Sequence, residues 1–138
     1  MIGIVVVTHG RLADEMLRTL RGVLGPLEQV EAVSAANTDD PERMQGEILD
    51  AIGRVETGDG SLILTDMFGD TATNLSLAVS RQTRCEVVAG VNMPMLVKAV
   101  TTRERLAVRE LAALIHEYGR SHIFWASHGS WRAGGRGE

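Results

Sequence analysis

Met1-Ile2-Gly3-Ile4-Val5-Val6-Val7-Thr8-His9-Gly10 opens the chain. The run from Ile2 to Thr8 is apolar almost throughout and does not alternate, so both of its faces are expected to be covered, as in an inner strand of a parallel sheet. His9 ends the run, and Gly10 separates it from an amphipathic stretch. The pattern reads as buried strand, tight turn and helix, with an imidazole at the carboxyl end of the strand. In open α/β sheets, ligands and chemistry collect at those ends.

The rest of the chain repeats the alternation. Leu12, Met16, Leu17, Leu20, Val23 and Leu24 recur at helical spacing before Gly25-Pro26, and a weaker strand covers about 29–34. Asp39-Asp40-Pro41 starts a second helix, with Asp40 as N-cap and Met44, Ile48, Ala51, Ile52 and Val55 on one face. Ser61 to Thr65 is a third strand, ending on Asp66. A helix from Thr71 or Ala72 to Arg81, a strand over 85–90, a turn at Asn92-Met93-Pro94, a short helix from Met95 and a helix over about 103–118 follow. His122 to Ser127 is a candidate fifth strand. This is the pattern of a doubly wound, mostly parallel α/β sheet in three layers. We expect one domain over 1–128 and a flexible Gly/Arg-rich tail over 129–138.

Composition narrows the function. At 138 residues, with 44% hydrophobic and 23% charged residues, the chain suits one soluble domain. A net charge of -4 and few aromatics argue against nucleic-acid binding. Cys85 is the only cysteine, which excludes an intrachain disulfide and a thiolate metal cluster. The first apolar run is only about seven residues long, too short for a signal peptide or membrane span. We therefore expect a cytoplasmic protein without stable membrane insertion, resident metal or cofactor. No Gly-rich dinucleotide fingerprint follows the first strand.

If the first and third strands are neighbours, His9 and Asp66 meet at one rim. A carboxylate holding one ring nitrogen leaves the other free as base, ligand or nucleophile. The helix after His9 points its positive end at the same rim, a natural anion site. That field is expected to lower the proton affinity of His9. Gly10, Gly69, Thr71 and Thr73 are candidate phosphate-binding positions, although a helix cap is a competing role for either threonine. His116, His122 and His128 recur every six residues, a spacing that fits no local metal site.

Four ordered segments carry a family likeness: Ile4-Val5-Val6-Val7-Thr8-His9-Gly10, Leu24-Gly25, Thr65-Asp66-Met67-Phe68-Gly69, and Glu86 through Leu96 with its Ala-Gly-Val-Asn-Met-Pro-Met-Leu block. Together they resemble the mannose-class IIA domains of the bacterial phosphoenolpyruvate:sugar phosphotransferase system. The resemblance implies a flavodoxin-like fold and a homodimer whose last strand could be exchanged, antiparallel, at a sheet edge. It implies a phosphotransferase in which His9 accepts a phosphoryl group from the phosphocarrier HPr and passes it to a IIB component, for sugar uptake or a regulatory relay. Asp66 matches the carboxylate that orients the histidine, Thr71 a phosphate-binding serine, and Asn92 a neighbour of the site. Two alternatives remain: a phosphotransfer subunit for dihydroxyacetone kinase, and a non-catalytic regulatory binding module. The chain departs from the family's Gly-Gly-Ser/Thr-Pro turn, having Gly69-Asp70-Thr71-Ala72 instead. Asp70 is expected to repel a bound phosphate unless it turns away.

Overall fold

A computed structural model describes residues 1–34 and 40–129. The expected tail over 130–138, and Asp39 before the second helix, lie outside the described residues. The elements are β1 (Gly3–Thr8), α1 (Leu12–Leu24), β2 (Val30–Ser34), α2 (Pro41–Val55), β3 (Ser61–Thr65), α3 (Thr71–Ser80), β4 (Cys85–Ala89), α4 (Met93–Thr102) and α5 (Val108–Ser121). Short 3-10 turns cover Arg103–Arg105 and Ala126–His128.

All four strands are parallel, in the order β2-β1-β3-β4. β1 and β3 are buried along their whole length, which explains why their sequences do not alternate. Successive side chains point to opposite faces. Ile2, Ile4, Val6, Leu62 and Leu64 meet α1, α4 and α5, while Val5, Val7 and Ile63 meet α2 and α3. The three layers and the flavodoxin-like order follow from this division. The order in which strands are added reverses between β1 and β3, the switch point where the strand ends leave an open crevice.

Three parts of the sequence reading need correction. Leu12 and Val23 of α1 are exposed, at 46% and 64%. The buried stripe is Ala13, Leu17 and Leu20, and both residues lie roughly 80–100° around the helix from it. The helix expected over 103–118 is instead a 3-10 turn followed by α5, which starts five residues later. Arg103 is the cause. It is 3% exposed, and its guanidinium donates to the main-chain carbonyls of Ile2 (3.2 Å), Gln29 (3.2 Å) and Glu28 (2.6 Å). Reaching them ends α4, and the chain restarts where Glu110 accepts the Ala107 N–H at 2.9 Å.

Within this chain the segment expected as a fifth strand, 122–127, forms none. His122 packs back on the Tyr118 ring at 3.6 Å between centroids, and Ala126–His128 closes a 3-10 turn. A strand needs a ladder partner, and the residue that caps α5 stacks on the helix instead. Ile123 and Trp125 are left 78% and 66% exposed.

Because Arg103 is the donor to three carbonyls at the start of the sheet, Arg103→Ala should lower the unfolding free energy by roughly 2–4 kcal/mol, the range for charged hydrogen bonds lost from a buried site. Urea unfolding followed by circular dichroism measures it, and a loss under about 1 kcal/mol would contradict this account.

Candidate functional site

The pairing of Val7 with Thr65 brings the ends of β1 and β3 level, so the residues after each strand share one rim. Thr8 secures the first end. Its buried hydroxyl accepts the Ala13 N–H at 2.6 Å and lies 3.1 Å from the His9 carbonyl, tying strand to helix. Gly10 makes the intervening turn at φ 53°, a left-handed backbone that a side chain would strain. Gly69 does the same at φ 85° in the loop after Asp66.

One oxygen of Asp66, Oδ2, fixes His9 twice. It accepts the His9 main-chain N–H at 3.0 Å and faces the ring Nδ1 at 2.9 Å. The other oxygen accepts the Met67 N–H at 3.0 Å. The imidazole is therefore held with Nδ1 inward and Nε2 toward solvent, and its side chain is 51% exposed. Asp70 adds a second carboxylate, its Oδ2 3.1 Å from the same Nδ1, while its Oδ1 accepts the Thr73 N–H at 2.8 Å and caps α3. Asp66 and Asp70 are only 11% and 13% exposed.

The electrostatic outcome reverses one expectation. The proton affinity of His9 is raised above its ordinary 6.5, first by the hydrogen bond to Asp66 and then by the charge of Asp66; desolvation opposes this, and the charge of Asp70 adds a smaller upward push. The positive end of α1 loses to two nearby carboxylates, and Thr8 already takes one of its N–H groups. For Asp66, burial pushes the carboxyl up, but the main-chain and ring hydrogen bonds from His9 and its charge outweigh this, so it sits below its ordinary value.

The other candidates separate. Thr71 is exposed at the first residue of α3, beside Asp70. Thr73 is not at the rim: it is 1% exposed, and its hydroxyl is committed to the Met67 carbonyl and the Thr65 hydroxyl. Asn92 caps α4 by accepting the Met95 N–H at 2.9 Å, and its amide reaches the Gly119 carbonyl, so its visible work is structural. His122 and His128 stack on Tyr118 and Trp125. The contact of Asp70 with Nδ1 is what sequence reading missed. Its sequence signal was Asp-Thr-Ala-Thr, the spacing of an N-cap, which turns the side chain back toward the strand end.

His9, Asp66 and Asp70 offer ring nitrogen and carboxylate oxygens within 4.8 Å of one another, a spacing that a divalent cation also accepts. A cation and a proton compete for Nδ1.

The His9 ring should titrate above 6.5 in nitrogen-detected NMR, and Asp66→Asn should lower the midpoint. The His9 contribution to stability is complete below 6.5 and fades as pH rises through the folded-state midpoint. The Asp66 contribution is present above its ordinary 3.8 and fades as pH falls. A variant midpoint at or above that of wild type would reject the assignment.

Comparison with known proteins agrees with the geometry. The family model "PTS system fructose IIA component" matches residues 3–116. The chain is 33% identical over 124 residues to the mannose-specific EIIAB component of the phosphotransferase system from Escherichia coli K12, covering 88% of this chain and 38% of that protein. It is 25% identical over 112 residues to the fructose-specific EIIA component of Bacillus subtilis, covering 80% of this chain and 77% of that one. Among solved structures, a phosphotransferase system component EIIA from Streptococcus agalactiae superposes with TM-score 0.85 at 26% identity, over 93% of this chain and 99% of that one. A mannose/sorbose-specific IIA subunit from Enterococcus faecalis gives TM-score 0.80 at 26% identity, over 89% and 92%. The chain belongs to the fructose/mannose IIA family of the phosphoenolpyruvate:sugar phosphotransferase system.

Proposed function

We propose that this protein is a phosphocarrier that takes a phosphoryl group from phospho-HPr onto Nε2 of His9 and passes it to a IIB component. The observation that carries the reading is the double hold of Asp66 on the His9 main chain and Nδ1, which presents the opposite nitrogen outward. With the proton on Nδ1, the Nε2 lone pair lies in the ring plane and points at an incoming phosphorus. Positive charge then develops on the ring, where Asp66 stabilises it. No covalent help beyond this is required, because phosphoryl transfer depends chiefly on positioning and charge. Thr71 and the N–H groups at the turns of Gly10 and Gly69 supply donors for the phosphoryl oxygens.

The relatives' names support sugar-linked phosphotransfer, and the mannose-specific relative combines IIA with IIB, so the acceptor proposed here is a IIB component. None of the described helices is long and apolar enough to cross a membrane, which suits a cytoplasmic carrier. We also propose a homodimer in which the exposed segment carrying Ile123, Phe124 and Trp125 pairs with a second copy. Sedimentation analysis should give twice the chain mass, and deletion of residues 122–138 should return it to one.

Incubation with labelled phosphoenolpyruvate, the first enzyme of the system and HPr should place acid-labile label on wild type and none on His9→Ala. Thr71→Ala should slow labelling by about tenfold or more without abolishing it, the scale of one lost oxyanion donor. Because only the neutral ring attacks, the labelling rate should fall as pH drops through a midpoint above 6.5. Equal label on His9→Ala would reject the carrier assignment.

A further inference from the structure

Asp70 has one oxygen more than a helix cap requires. Its Oδ1 accounts for the cap on α3. Its Oδ2 is buried, has no aligned hydrogen-bond donor, and stands 3.1 Å from Nδ1 of His9. Serine or asparagine would cap the helix equally well, without burying a charge. A buried carboxylate oxygen with no aligned donor is unfavourable unless a cation faces it. Among the described residues the only group in that position is the His9 ring, so the charge of Asp70 is best satisfied when the ring is cationic.

The ring becomes cationic during transfer. Neutral His9 carries its proton on Nδ1 and attacks with the Nε2 lone pair. The Nε2–P bond forms, the donor's bond to phosphorus breaks, and the donor keeps that electron pair. The product is a phosphoimidazolium with the proton still on Nδ1. If that proton escapes to water, the ring becomes a neutral phosphoimidazole, and its next departure from phosphorus would require a poor leaving group, imidazolate. If the proton stays, the acceptor's lone pair bonds to phosphorus and the Nε2–P pair returns to a neutral imidazole, with no proton moved.

We propose that Asp70 is a positioning residue for transfer: with Asp66 it keeps the proton on Nδ1 of phosphorylated His9, holding the phosphoryl group in its readily released form. The biological setting rests on the phosphocarrier reading above, whereas the chemistry rests on the site geometry. Among the described residues, the charged groups facing the ring are Asp66 from the end of β3 and Asp70 from the start of α3. Asp14 of α1 is engaged by the Ser34 hydroxyl at 2.6 Å, and the segment 90–92 after β4 has no ionisable side chain. The same carboxylate that would repel phosphate also prevents the carrier from becoming a sink for it.

The test uses phosphoramidate, a small phosphoryl donor that needs no protein partner. Wild type, Asp70→Asn and Asp70→Ser are phosphorylated on His9, and loss of phosphohistidine is followed by phosphorus NMR as pH is varied. Phosphoimidazolium is hydrolysed faster than its neutral form, so the rate-against-pH profile reports the Nδ1 proton. Both variants should move the midpoint down by about one pH unit, and between the two midpoints their phosphorylated forms should survive up to roughly tenfold longer than wild type. Both keep a side-chain cap on α3, so their thermal unfolding should match wild type, and loss of structure would not explain the shift. Superimposable profiles would overturn the proposal, as would failure of phosphoramidate to label His9 in wild type. Labelling by phosphoramidate but not by HPr would overturn the carrier reading and leave this one standing.

Discussion

Parallel pairing of β1 with β3 is the constraint on which the site depends. Both strands are buried on both faces, so neither can slip without exposing apolar residues or burying the wrong ones. With Val7 set against Thr65, His9 and Asp66 emerge level with each other, and a single oxygen of Asp66 then reaches both the main chain and the ring of His9. The chemistry inherits its alignment from the least polar part of the molecule. A reactive histidine placed on a rigid strand end is held more narrowly than one on a loop.

Around that ring two kinds of field compete. Helix starts favour anions and an unprotonated imidazole, whereas carboxylates favour a proton. The carboxylates win because they touch the ring, while Thr8 and Asp70 each consume an N–H from the helix starts beside it. Two carboxylates beside the ring are a compromise, since both favour positive charge on the imidazole and both oppose an approaching anion. The arrangement places them on the Nδ1 side of the ring, away from Nε2.

Most of the fold was legible because it is written in periodicity. Unbroken apolar runs gave the inner strands, and the Asp40-Pro41 cap gave the start of α2. The pairing of His9 with Asp66 was also legible, because each closes a buried strand. What failed had nonlocal causes. Nothing near Arg103 says that its guanidinium will leave the surface to bind carbonyls near the other end of the chain, and that choice cut the expected helix short. Thr73 read as a rim donor because hydroxyls at a helix start are common, but the first turn of α3 aims it inward to Thr65. Leu12 and Val23 were placed in the core by their apolar character, yet their angular position sets them outside it. Asp70 lay at a cap position in the sequence, but only three-dimensional placement brings its second oxygen to His9.

Arg103 also sets an order of events during synthesis. Its three carbonyl partners belong to Ile2, Glu28 and Gln29, up to 101 positions away. The Ile2 carbonyl just before β1 gains its Arg103 partner only once α4 and the turn after it have been made. Closing so long a loop is entropically slow, and apolar strands waiting for their cover are prone to wrong partners. The sheet that carries the His9 rim is thus closed at its other end by a residue from far along the chain.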